Sequence, residues 1–158
     1  MKLLSQKPSR IRFTKAGFEK IMRERDELQA QRPEAVEHLR KSREMGDLSE
    51  NGYYKASRAK LSFIDARLRN LEGIIKRAKI VVSTHTGLID IGDSITLKSD
   101  EKTVEYTIVG GYESDPAKHL ISHISPLGKA LIGKRTGDTV SVTAPIGTKI
   151  YTIVKINP

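Results

Sequence analysis

Two carboxylates three positions apart, Asp47 and Glu50, stand in the segment Gly46-Asp47-Leu48-Ser49-Glu50-Asn51-Gly52. Their spacing serves two kinds of chemistry. Asp-x-x-Glu directly ahead of a helix is a capping box, in which the first acid accepts from backbone N–H groups and the second reaches back to the cap. Two exposed carboxylates are also hard oxygen ligands for Mg²⁺, although such a pair binds it weakly by itself. Basic side chains crowd the same stretch: Arg43 precedes it, and Lys55, Arg58 and Lys60 follow. Taken singly, each of these reads more readily as a solvated helix residue than as a contact residue.

Other chemistries are excluded by residue type or spacing. The chain has no cysteine, which removes disulfides, thiolate metal sites and Cys nucleophiles. Gly128-Lys129-Ala130-Leu131-Ile132-Gly133-Lys134-Arg135 nearly spells a phosphate-binding loop, but Arg135 stands where the Mg²⁺-binding hydroxyl is needed. His38, His85, His119 and His123 form no metal set. In a strand, the last two would sit about 13 Å apart. No Ser–His–acid arrangement can be argued from these spacings.

Charge points to an acidic partner. The 158 residues carry 28 Lys and Arg against 19 Asp and Glu, a net charge of +9. Residues 1–14 contain Lys2, Lys7, Arg10 and Arg12 and no acid, whereas residues 84–158 balance eight basic with eight acidic side chains. The whole surplus therefore lies in the N-terminal half, a one-sided field suited to nucleic acid or to an acidic protein groove. No apolar run is long enough to span a membrane or to act as a signal peptide, and the expectation is a cytoplasmic chain.

The elements that must position the two acids follow from hydrophobic period. Leu61, Ile64, Leu68, Leu71, Ile75 and Ala78 alternate steps of three and four, with Tyr54 and Ser57 in register. This predicts a long helix over about 51–79. Phe18, Ile21, Leu28, Ala35 and Leu39 repeat the pattern less cleanly, Thr14 is placed to cap the helix, and Pro33 predicts a kink or short break. Two such helices bury their seams against each other as an antiparallel hairpin, an arm roughly 45 Å long. A single chain satisfies its own seam, so a monomer is expected.

After residue 79 the period changes to two. Lys79–Val82, Ile95–Leu97, Val104–Ile108, Leu120–Ser125, Val140–Val142 and Lys149–Ile156 read as strands, and Pro126–Ile132 as one short helix. The fold class is α+β: an N-terminal coiled-coil hairpin over 1–79, with its tip at about 45–52, then an antiparallel-rich β domain over 80–158.

The tip Gly46-Asp47-Leu48-Ser49-Glu50-Asn51-Gly52-Tyr53-Tyr54 resembles the G-D-L-x-E-N-A-E-Y tip of the bacterial Gre transcript cleavage factors. Arg32-Pro33-Glu34, Ile108-Val109-Gly110, Ile121-Ser122, Ser125-Pro126 and Ala130–Lys134 resemble further signatures of that family, in the same order, so the likeness covers about residues 12–157. Two positions depart from it. Gly52 stands where the family has Ala, which favours a later helix start, and Tyr53 replaces an acidic residue.

The resemblance implies an FKBP-like C-terminal domain and a transcription elongation factor whose hairpin enters the secondary channel of RNA polymerase. There Asp47 and Glu50 would help hold a shared Mg²⁺ and its water for cleavage of backtracked nascent RNA. The free chain would not bind that Mg²⁺ tightly, and the cleavage activity stimulated is the polymerase's own. Arg43, Asn51, Lys55 and Arg58 fall where the family contacts RNA or polymerase. Tyr54 either touches the RNA 3′ end or packs across the start of the hairpin. Two other classes stay open: a Gre-like regulator that occupies the channel without catalysis, and a DNA- or RNA-binding coiled coil with no polymerase role.

Overall fold

A computed structural model describes residues 10–45, 52–83, 86–100, 102–144 and 147–157. Asp47, Glu50 and Asn51 lie outside the described residues, as do His85 and the Pro145-Ile146 turn. Cα packing divides the chain into two units, one spanning Glu19–Arg77 and the other joining the residues up to Phe18 with those from Ala78 onward.

The first unit is a pair of antiparallel helices. Helix α1 spans Lys15–Glu44 and α2 spans Gly52–Arg77. α1 runs through Pro33 without the predicted break. α2 begins at Gly52 itself, so the glycine does not delay the helix as its low propensity suggests. Seam residues Ile21, Ala35 and Ile64 are buried. Ser42 and Ser57 extend the seven-residue steps and are buried as well. Leu28, Leu39, Leu61 and Leu68 flank this line half-buried. Two cross-helix ion pairs show the antiparallel sense: Glu24 meets Arg67, and Arg32, further along α1, meets Asp65, which comes earlier in α2.

In the second unit, strands β1 (Ile11–Phe13) and β2 (Ala78–Ile80) pair in parallel, Ile11 opposite Ala78. β1 was not anticipated, and Ala78, read as the last seam step, opens β2 instead. Strands β3 (Ser94–Ser99), β4 (Lys102–Val109), β5 (Leu120–Ser122), β6 (Thr139–Ala144) and β7 (Gly147–Asn157) form one sheet in the order β5-β4-β3-β7-β6. It is antiparallel except where β5 joins β4. Its core gathers Ile89, Ile91, Ile95, Leu97, Ile108, Leu131, Val140 and Ile153. Helix α3 (Pro126–Leu131) supplies Leu131 to that core and starts as the sequence predicts. Ser125 accepts from the Gly128 N–H, and Pro126 occupies a first-turn position that has no donor to lose.

Candidate functional site at the hairpin end

In sequence, the two acids fall between the last turn of α1 and the first turns of α2. Arg43 is exposed in the former, and Lys55 and Arg58 in the latter, while Tyr54 is half-buried. The placement of Lys41 and Arg43 in the final turn of α1 also suits the negative end of the helix dipole, so the local fold favours cations there in any case.

Of the basic residues singled out in the sequence, the structure brings Arg43 and Arg58 together. They line a shallow cavity of about 300 Å³ with Leu39, Leu61, Ser62, Asp65 and Arg69. Asp65 is the cavity's one acid. The hydrogen bond from Arg32 holds its carboxyl below the usual carboxylate range, and the charge of Arg69 adds to the effect. Asp65 is therefore ionised and committed to Arg32, which leaves Arg43, Arg58 and Arg69 as a net cationic surface for an anion. Lys55 and Tyr54 do not line this cavity.

A second cavity of about 230 Å³ is lined by Ala35, His38, Tyr53, Ala56, Ser57 and Lys60. Here the Tyr53 hydroxyl lies 2.6 Å from Nδ1 of His38. Sequence reasoning missed this pair, having weighed His38 only as a metal ligand and Tyr53 only as a lost charge. It missed Arg69 as well, although Arg69 lies one heptad and one turn beyond Arg58 on the same helix. Among the described residues, no three His, Asp or Glu side chains converge on a point that could hold a metal ion. No helix among them is long and apolar enough to cross a membrane.

Comparison with known proteins assigns the chain as a whole. Residues 11–80 match the family model described as "Transcription elongation factor, N-terminal", and residues 84–158 match "Transcription elongation factor, GreA/GreB, C-term". The chain belongs to the GreA/GreB family of transcription elongation factors. Among its relatives, the "Transcription elongation factor GreA" of Nautilia profundicola is 44% identical over 91% of this chain and 92% of its own. That of Paracoccus denitrificans is 40% identical over 93% of this chain and 97% of its own. The solved structure of GreA factor homolog 1 (Gfh1) from Thermus thermophilus is 28% identical, covers 94% of this chain and 99% of that one, and superposes with a TM-score of 0.44. In this GreA/GreB member, the two helices and the sheet are thus the family's two parts, and the cavity of three arginines lies on the helical part.

Proposed function

We propose that this GreA/GreB member inserts its hairpin into the secondary channel of bacterial RNA polymerase and stimulates Mg²⁺-dependent cleavage of backtracked nascent RNA. The observation that carries this reading is the retained acid pair. A chain of this family keeps both Asp47 and Glu50 between helices whose adjoining turns gather Arg43 and Arg58 around one cavity.

Asp47 and Glu50 fit Mg²⁺ in kind, as hard oxygen donors too few to make a cage, which leaves coordination to be completed by acids of the polymerase. Bound between them, Mg²⁺ would supply charge stabilisation for the attacking and leaving oxygens of a phosphodiester hydrolysis. The products are a short RNA fragment and a shortened transcript with a new 3′-OH. Arg43 and Arg58 bind phosphates of the extruded 3′ segment, and Lys55 adds to the attraction. Asn51 and Tyr54 contact the RNA 3′ end or the channel wall. The chain acts in the cytoplasm as a monomer and contributes half of an active site.

A second reading, a channel-occupying regulator without cleavage, draws on one observation. Tyr53 replaces the family's acid and is engaged with His38, which leaves the acid pair one negative charge short. Stalled, backtracked elongation complexes with 5′-labelled RNA and Mg²⁺ separate the two. Cleavage predicts shortened RNA that can be re-extended, lost in Asp47→Ala and Glu50→Ala while polymerase binding persists. Binding without shortening by the native chain would leave the regulator. Tight, steeply salt-dependent binding to free RNA with no polymerase binding would refute both.

A further inference from the structure

Asp65 has a choice of partners. It lines the cavity of Arg43, Arg58 and Arg69 and stands four residues ahead of Arg69 on α2. An acid four positions before a cation is the favoured order for an ion pair along a helix. Arg69 is near enough for its charge to act on the Asp65 carboxyl. A guanidinium that takes a carboxylate spends its planar fork on that carboxylate and has less to offer an anion.

In the structure Asp65 turns across the hairpin instead. Arg32 of α1 donates from Nε to Asp65 Oδ1 at 2.7 Å, and its Nη2 lies 3.5 Å from Oδ2. Arg32 does not line the cavity, so the charge of the cavity's acid is met by a cation from outside it. Among the described residues, Arg43, Arg58 and Arg69 themselves enter no side-chain hydrogen bond and no ion pair. All three are exposed, and half-buried Leu39 and Leu61 give the cavity an apolar floor. A floor of that kind strengthens a hydrogen bond made above it. Three unspent guanidiniums around one shallow cavity suit a ligand with several anionic oxygens, which is the chemistry of phosphate.

We propose that Arg43, Arg58 and Arg69 form one phosphate-binding site, and that Arg32 is a positioning residue for it, holding Asp65 across the hairpin. Without Arg32 the carboxylate falls to Arg69 along its own helix, and one of the three forks is lost to the ligand. Every residue in this account belongs to the helical unit. That the phosphates are those of extruded RNA rests on the cleavage reading above. The site and the role of Arg32 rest on the geometry of the two helices alone.

Inorganic pyrophosphate is the probe, titrated into the full chain while NMR follows the arginine Nε–H signals. Those of Arg43, Arg58 and Arg69 should move together with one Kd, and Arg69→Ala should raise it by about tenfold. Arg32→Ala should raise it by about two- to fivefold, the share that one exposed ion pair can hold. Asp65→Asn should not raise it, and Arg32→Ala added to Asp65→Asn should change nothing further. Arg32→Met keeps the packing stem and runs the same cycle if Arg32→Ala loses helix content. An equal loss from Arg32 in both backgrounds would overturn the positioning role, because Arg32 would then act through its own charge or through folding. Three signals that move independently, or not at all, would overturn the site. In backtracked complexes the same cycle should appear in the factor concentration for half-maximal cleavage. A cycle seen with pyrophosphate but not in cleavage would keep the site and overturn its assignment to RNA. Absence of cleavage by the native chain would sink the cleavage reading instead, and the pyrophosphate cycle would still decide the role of Arg32.

Discussion

Tyr53 sets its hydroxyl 2.6 Å from Nδ1 of His38 on the facing helix, and the two rings meet edge-on with centroids 6.2 Å apart. Nε2 of the same imidazole lies 3.3 Å from Glu34 Oε1. A neutral ring protonated on Nε2 satisfies both contacts: Nε2–H donates to Glu34, and Nδ1 accepts from the Tyr53 hydroxyl. The residue that departs from the family pattern thus joins the two helices close to the candidate site.

Tyr53→Phe keeps the ring contact and removes the hydrogen bond. Both side chains are well exposed, so the expected cost is about 0.5 kcal/mol, read as a thermal midpoint lower by roughly 1–2 °C. Tyr53→Glu returns a negative charge beside the acid pair and is expected to lower the Mg²⁺ concentration needed for half-maximal cleavage. If Tyr53→Phe lowers that concentration equally, charge is not the cause.

The seam, not the ion pairs, holds the hairpin together. Arg67 approaches both carboxylate oxygens of Glu24, Nε at 2.6 Å and Nη2 at 2.9 Å, but 38% and 36% of the two side chains remain exposed. A double-mutant cycle on this pair should give a coupling of about 0.5 kcal/mol that shrinks as salt rises. Ile64→Ala, at a position 2% exposed, should cost about 2–5 kcal/mol and be insensitive to salt. Comparable losses for the two changes would contradict this division.

Two acids of the hairpin give it a predictable response to acid. The hydrogen bond from Arg40 holds Glu37 down from its ordinary 4.5 to about 2, and the Arg32 hydrogen bond holds Asp65 below its ordinary range. A carboxylate whose folded value is depressed adds stability that is complete above its unfolded value and is lost as pH falls through the folded one. Helix content should therefore be flat above pH 4.5 and decline as pH falls towards 2. Glu37→Gln should flatten part of that decline, and so should high salt, because these groups face solvent. Circular dichroism against pH in the two chains checks both.

Two glycines should respond to alanine with opposite signs. A Cβ on buried Gly128 would lie 2.1 Å from the Ser122 carbonyl oxygen, which is backbone and cannot step aside cheaply. Gly128→Ala should destabilise the sheet-bearing unit by roughly 1–3 kcal/mol. Gly73 sits in α2 with nothing within 4 Å of the added atom. Gly73→Ala should stabilise the hairpin by about 0.5–1 kcal/mol. Chemical denaturation of each variant reads the sign directly.

Features that repeat are legible along the chain. Steps of three and four recur over many turns of α1 and α2, alternation recurs along β3, β4, β6 and β7, and Ser125-Pro126 states a helix start within two residues. The acid pair and the basic residues that flank it in sequence were visible because their types and order are themselves the signal. The rest came from folding. β1 and β2 are three residues each, too short to show a period, and pair only because folding brings Ile11 beside Ala78. Arg69 joins Arg43 and Arg58 around one cavity through the register of two helices, and Tyr53 finds His38 by the same register. The cap of α1 lacks its acid in the local sequence, and Glu113 supplies it from 99 positions away. Periodicity is written locally along the chain, whereas a contact between distant residues exists only once the folded backbone has fixed which side chains can meet.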